Sequence, residues 1–228
     1  MRSATDVLIA KGAFQNAPRV KDFCTDIVFV CAHLAAGSSN VEDRNRDFHT
    51  IYRGISLKGR SIESHERVFM FGDFNYRLDD LSSDAIRQHV AAGQRKLLLE
   101  QDQLTRQRMA QHAFAGFDEG PIEFDPTYKY DNGTDTFDTS EKHRAPAWTD
   151  RILAQGKSIR LDTYQSVPQL RTSDHKPVCA LYHVDVTQIN QTERLRLLTA
   201  THFEMVQQSW VRRSTEKWTG TETKTEIK

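Results

Sequence analysis

Short apolar runs, each closed by a cluster of polar residues, recur along most of the chain. Residues 26–34, DIVFVCAHL, are dense in β-branched and aromatic side chains and predict a buried strand. Residues 67–71 predict a second strand, which runs straight into Gly72-Asp73-Phe74-Asn75-Tyr76-Arg77. Between them, residues 38–54 read as an amphipathic helix, with Ser39 or Asn40 placed to cap it. Ser82-Ser83-Asp84 opens a helix over 81–92, and residues 96–114 predict one or two more. From 118 to 148 the chain is crowded with Asp, Gly, Pro and Thr, which predicts loops. Short strands are expected at 150–154, 158–166 and 177–186. Residues 192–206 are weakly helical. Residues 211–228 hold few apolar side chains, so a disordered end is expected. Residues 1–25 show no clear periodicity. This alternation predicts an α/β (α+β) architecture, a mixed sheet sandwich covered by helices.

Composition narrows the function classes. The 228 residues suffice for one substantial core. Lys plus Arg and Asp plus Glu both number 31, so the net charge is zero. That argues against a protein held to nucleic acid by bulk charge and leaves room for a local basic pocket. Cys24, Cys31 and Cys179 form no CxxC pair and their count is odd, so reduced thiols are expected rather than a disulfide framework or a zinc site. No apolar run approaches a membrane span, and the first residues lack a signal-peptide pattern. A cytoplasmic protein is expected, with any membrane contact peripheral.

Four polar clusters sit at expected strand ends. His33 ends the first strand, and Asp73 and Asn75 end the second. Asp150 follows Trp148-Thr149 at the start of another, and Ser173-Asp174-His175-Lys176 precedes the last. Gathered at one sheet edge, these residues suit metal-assisted phosphoester hydrolysis, which needs an activated water and positive groups around the phosphoryl oxygens. Asp73 can accept a proton from water or orient it, and Asn75 can steer it. His175 held by Asp150 can donate to a phosphoryl oxygen, and His33 offers a second donor. Asp174 is a hard oxygen ligand suited to Mg2+. Farther along, Thr127-Tyr128-Lys129-Tyr130 and Lys142-His143-Arg144 bring cations fit for an anion pocket. Each residue also has an ordinary reading. His33 serves as a backbone cap, Asp174-His175 as a turn, Asp150-Arg151 as a structural ion pair, Trp148 as core, and the cations as a solvated loop.

Laid out in order, VFVCAHLAAG (28–37), DRNRDF (43–48), VFMFGDFNYRL (68–78), FDPTYKYDNGTDTFDTSEKHRAPAWTDRIL (124–153) and TSDHKPV (172–178) resemble the inositol polyphosphate 5-phosphatase family, in both its synaptojanin-like and its Lowe-syndrome-phosphatase-like members. The resemblance covers about residues 26–190 and extends well beyond the generic Gly-Asp-x-Asn. It implies a DNase I-like endonuclease/exonuclease/phosphatase fold, a two-sheet β-sandwich flanked by helices. It also implies Mg2+-dependent removal of the 5-phosphate from a phosphoinositide lipid or an inositol phosphate. By the resemblance, Asp73 and Asn75 place and activate the water, and Asp150 orients His175 toward the scissile phosphate. His33 helps hold the phosphoryl group, and Asp174 belongs with the metal-side carboxylates. Tyr128, Lys129, Lys142 and Arg144 fall where the family grips the neighbouring 4-phosphate, and holding that group fixes which ester meets the water.

The chain also departs from the family pattern. The early Asn of the family, and the Gln-Glu pair whose Glu is the main Mg2+ ligand, find no counterpart in residues 1–25, although Lys11-Gly12-Ala13 is faintly similar to the entry of that region. A fold incomplete at its N-terminus is therefore expected, comprising an atypical segment (1–25), the C-terminal part of a catalytic domain (26–190) and a polar end (191–228). Thr149 stands where many members have Cys, a change expected to be harmless. Two alternatives remain, a phosphoinositide-binding remnant without turnover and a related nuclease. The sequence is silent on oligomeric state and preferred inositide.

Overall fold

The computed structural model describes residues 6–10, 26–57, 59–186 and 190–218. It divides into two units. The first holds nine strands and four α-helices. Strand β1 (Asp6–Ala10) pairs antiparallel with β2 (Ile27–His33), so part of the N-terminal segment read as patternless is a sheet edge. DVLIA is too short for its period to show in sequence. Residues 11–25, with Lys11-Gly12-Ala13 and Cys24, lie outside the described residues.

Helix α1 (Val41–His49) passes directly into a π-helical turn, Thr50–Gly54. Asn40 holds the cap position, but its side chain turns back to donate to the Ala36 carbonyl at 2.7 Å and caps nothing. A two-residue hairpin, β3 (Ser56–Leu57) and β4 (Arg60–Ser61), leads to β5 (Arg67–Asp73). Then come α2 (Ser83–Ala91), α3 (Arg95–Leu99) and α4 (Gln103–Met109). Ser82 caps α2 by accepting from the Ala85 amide, and Asp102 caps α4 by accepting from the Thr105 amide, each filling a first-turn donor that would otherwise lack a partner. Strands β6 (Asp118–Glu119), β7 (Asp150–Gly156), β8 (Ile159–Ser166) and β9 (Val178–Val184) complete this unit.

Five strands form one mixed sheet in the order β1-β2-β5-β7-β6, with β2 and β5 parallel and the other pairs antiparallel. Side chains alternate between its faces. Val28, Val30, Ala32, Val68, Met70 and Leu153 face a helical layer that contributes Phe48, Tyr52, Leu104, Phe114 and Phe117. Ile27, Phe69 and Ala154 take the other face, under the β8–β9 hairpin and its Ile159, Tyr182 and Val184. The Phe69 and Tyr182 rings meet edge-on at 5.1 Å. The expected sandwich is thus present, with a two-stranded second layer.

The second unit contains α5 (Gln191–Trp218). Helix therefore continues through 211–218, where disorder was expected, and residues 219–228 lie outside the described residues. No helix among the described residues is long and apolar enough to cross a membrane.

Candidate active site

Strand register brings the polar ends together. Cys31 pairs with Phe71 across the parallel β2/β5 ladder, so His33 and Asp73 leave the sheet at the same edge. Their side chains meet, His33 Nε2 lying 3.4 Å from Asp73 Oδ2. Across the antiparallel β5/β7 ladder, Asp73 stands directly opposite Asp150. Gly72 permits the approach of β2. Its φ is +132°, and a Cβ there would lie 2.2 Å from the Ala32 carbonyl oxygen. Beyond Asp73 the chain alternates again. Phe74 and Tyr76 are fully buried in the core, and the Tyr76 hydroxyl donates to Asn45 Oδ1 at 2.8 Å.

Asn75 sits in the left-handed region, φ +58°, which Asn tolerates better than most residues. Its amide N–H donates to Asp73 Oδ1 at 2.9 Å, its Nδ2 donates to the Leu34 carbonyl at 3.0 Å, and its Oδ1 accepts from Arg77 Nη2 at 2.7 Å. The side chain read as steering water is therefore buried and engaged at both ends. One N–H and one lone pair remain to it. The loop after His33 is held from below by Arg44, also buried, whose guanidinium donates to the carbonyls of Ala35, Gly37 and Ser38 and to Gln103 Oε1.

The other half of the site is built by backbone pairing of three loop segments. Tyr128 and Ala147 exchange two hydrogen bonds, Lys176 N donates to the Thr127 carbonyl, and Tyr130 N donates to the Asp174 carbonyl. This places His175 against both Tyr128 and Asp150. His175 Nδ1 donates to Asp150 Oδ2 at 2.8 Å, which leaves Nε2 as the free ring nitrogen. Asp150 Oδ2 also accepts from the hydroxyls of Thr149 at 2.9 Å and Thr127 at 3.3 Å. The Tyr128 ring lies 4.7 Å from the His175 imidazole, and the Arg77 guanidinium lies 4.4 Å over the Tyr128 ring.

These contacts set the charges. Burial raises the Asp73 pKa above its ordinary value, and the facing Asp150 raises it further, against the opposing pull of His175 and His33. For His175, burial works against the charged ring. The hydrogen bond and charge of Asp150 outweigh it, with Asp73 and Asp174 adding to them, and the pKa rises. Arg151 is fully buried but does not pair with Asp150. It bonds Asp102 at 2.9 Å and Glu119 at 2.6 and 2.7 Å on the other face of the sheet. The structural ion pair considered for Asp150-Arg151 therefore does not form. Trp148 is core, its indole N–H donating to the Phe124 carbonyl.

The cationic set is partly assembled. Lys129 Nζ bonds Asp174 Oδ2 at 2.9 Å, an ion pair that lowers the Asp174 pKa despite the opposing effect of burial. Lys142 and Arg144 stand exposed on the neighbouring loop. Buried Asp138 ties the two segments. Its backbone N–H donates to the Lys129 carbonyl, and its carboxylate accepts from the amides of Ser140 and Arg144. Asp174, read as a metal ligand, is thus engaged by a lysine. Among the described residues no three His, Cys, Asp or Glu side chains gather where they could hold a metal ion.

Sequence reading missed Thr127, Thr149, Arg77, Asp138 and Arg44. Each lies within a stretch already singled out, yet the bonds that give it a role depend on how the fold aims its side chain. Among the described residues Cys31 and Cys179 are free thiols.

The family described as "Endonuclease/Exonuclease/phosphatase family 2" matches residues 4–181. Synaptojanin of Caenorhabditis elegans is 45% identical over 186 residues, which make up 79% of this chain and 16% of that protein. Inositol-1,4,5-trisphosphate 5-phosphatase 1 of Schizosaccharomyces pombe is 44% identical over 171 residues, 75% of this chain and 16% of that protein. Among solved structures, the inositol polyphosphate 5-phosphatase domain of SPsynaptojanin, in complex with inositol (1,4)-bisphosphate and calcium ion, matches with a TM-score of 0.71 and 42% identity over 83% of this chain and 55% of that one. Cimex nitrophorin, in its ferrous NO complex, matches with a TM-score of 0.54 and 25% identity over 68% of this chain and 54% of that one, so fold alone does not decide chemistry. The chain spans 16% of the length of the first two relatives and 55% of the solved domain.

Proposed function

Because the chain belongs to endonuclease/exonuclease/phosphatase family 2 and its relatives include inositol polyphosphate 5-phosphatases, we propose that it hydrolyses the 5-phosphate of phosphatidylinositol polyphosphates such as PtdIns(4,5)P2, or of soluble inositol polyphosphates. One observation carries the reading. Two His–Asp pairs, His33–Asp73 and His175–Asp150, face each other across the β5/β7 register, and Lys129 pairs with Asp174, the residue before His175.

In this reading Asp73 takes the proton of the attacking water. Its raised pKa makes it a better base than an ordinary aspartate. His175, kept protonated by Asp150, donates from Nε2 to a phosphoryl oxygen as negative charge builds there. His33 holds the phosphoryl group from the other side of Asp73. Tyr128, Lys129, Lys142 and Arg144 grip the neighbouring 4-phosphate and so present the 5-ester to the water. Mg2+ is the cation we assign to the reaction. The calcium bound by the solved relative supports a divalent ion. The membrane contact is peripheral, at the lipid headgroup.

The Lys129–Asp174 ion pair, which engages the carboxylate read as a metal ligand, favours a second reading, inositide binding without turnover. Phosphate release and liposome co-sedimentation, each with excess Mg2+ and with EDTA, separate the two. Release from PtdIns(4,5)P2 that needs Mg2+ supports hydrolysis. Binding without release supports the second reading, and plasmid nicking without phosphate release would move the assignment to a nuclease.

A further inference from the structure

Thr127 and Thr149 are both wholly buried, and both aim a hydroxyl at the same oxygen of Asp150. They come from different segments. Thr127 lies in the loop that pairs with Lys176, and Thr149 precedes β7, where its carbonyl accepts from the Phe74 amide at 2.7 Å. With His175 Nδ1, three donors converge on Asp150 Oδ2. A carboxylate held this way cannot rotate without losing several bonds to buried groups, so Oδ2 stays on His175 Nδ1. The Thr149 oxygen also lies 3.4 Å from that nitrogen, close enough to steady the ring directly.

We propose that the Thr149 hydroxyl, backed by Thr127, is a positioning device that fixes Asp150 and, through it, the ring orientation of His175. Thr149 touches no substrate in this arrangement. It keeps the Nδ1–H on Asp150 and turns the other ring nitrogen, Nε2, outward. A thiol is a weaker donor, so Cys at this position should hold Asp150 less firmly. The consequence for rate rests on the hydrolytic reading above, whereas the hydrogen-bond claim does not.

The test compares the full chain with Thr149→Val, which matches Thr in shape but has no donor, and with Thr149→Ser, which restores the hydroxyl. The low-field Nδ1 proton of His175, assigned by its loss in His175→Gln, reports the bond directly by NMR. Phosphate release from PtdIns(4,5)P2 reports its effect. The proposal expects the wild-type proton signal to be lost or moved upfield in Thr149→Val, with kcat down about tenfold and KM within about twofold, and both restored in Thr149→Ser. An unchanged signal in Thr149→Val, no low-field proton in the wild type, or a Ser variant that restores nothing would overturn it. Should the Val variant not fold, Thr149→Cys replaces it, with a weakened signal expected and an unchanged one overturning the proposal. If the wild type releases no phosphate, the hydrolytic reading fails by itself, and the proton signal alone decides the role of Thr149.

Discussion

Replacing Arg151 by Met tests the buried ion network on the face of the sheet opposite Asp150. The Arg151 guanidinium is wholly buried and makes three charge-assisted hydrogen bonds, to Asp102 at 2.9 Å and to Glu119 at 2.6 and 2.7 Å. Met fills much of the same space but leaves both carboxylates short of a cation. Neither is abandoned completely. Glu119 keeps Arg108 at 3.1 Å and the Tyr164 hydroxyl at 3.1 Å, and Asp102 keeps the amide and hydroxyl of Thr105, both at 2.8 Å. Asp102 Oδ1 already lacks a partner. Breaking one member of such a buried pair costs about 3–5 kcal/mol. For a chain of this size each kcal/mol lowers the melting temperature by about 2–4 °C, so a fall of roughly 10 °C is expected by circular dichroism. Urea unfolding should show a lower midpoint at an unchanged slope. Adding Asp102→Asn to Arg151→Met should recover part of the loss, because the stranded charge is then gone. A loss below about 1 kcal/mol, or a double variant worse than the sum of the singles, would refute the reasoning.

Three further outcomes follow from the same contacts. Gly72→Ala should destabilise by at least about 2 kcal/mol in denaturant titration, since the added methyl meets the Ala32 carbonyl at 2.2 Å in a left-handed conformation. The His175 pKa is raised above its ordinary 6.5, so the stabilising effect of its pairing with Asp150 is complete below that pH and is lost as pH rises through the folded value. The melting-temperature advantage of the wild type over His175→Gln should therefore shrink from pH 6 toward alkaline pH. Lys129→Met should raise KM for a 4,5-bisphosphate more than for a 5-monophosphate, and equal effects on both substrates would remove Lys129 from the 4-phosphate grip.

The strands were legible where apolar density was high. Residues 67–71 and 26–34 predicted β5 and β2 to within a few residues, and Ser82 caps α2 as its position implied. Strand β1 was not legible, because five residues show too little period. The site was legible as residue types at strand ends, since parallel and antiparallel register bring such ends to one edge. Its supports were not. Thr149 stabilises Asp150 from the preceding position, but Thr127, 23 residues away, reaches the same oxygen only through the fold. Sequence adjacency also misled for Arg151. Alternation along β7 sends Arg151 and Asp150 to opposite faces, so the neighbouring charge was never available as a partner.

The central claim is that His33–Asp73 and His175–Asp150 act as one hydrolytic centre. The most direct measurement is initial phosphate release from PtdIns(4,5)P2 in Mg2+ by the wild type, Asp73→Asn, His175→Gln and the double variant. The account predicts that each single change lowers kcat by about a thousandfold or more, and that the double variant is hardly worse than either single. A single variant that retains activity within about tenfold of the wild type would contradict it.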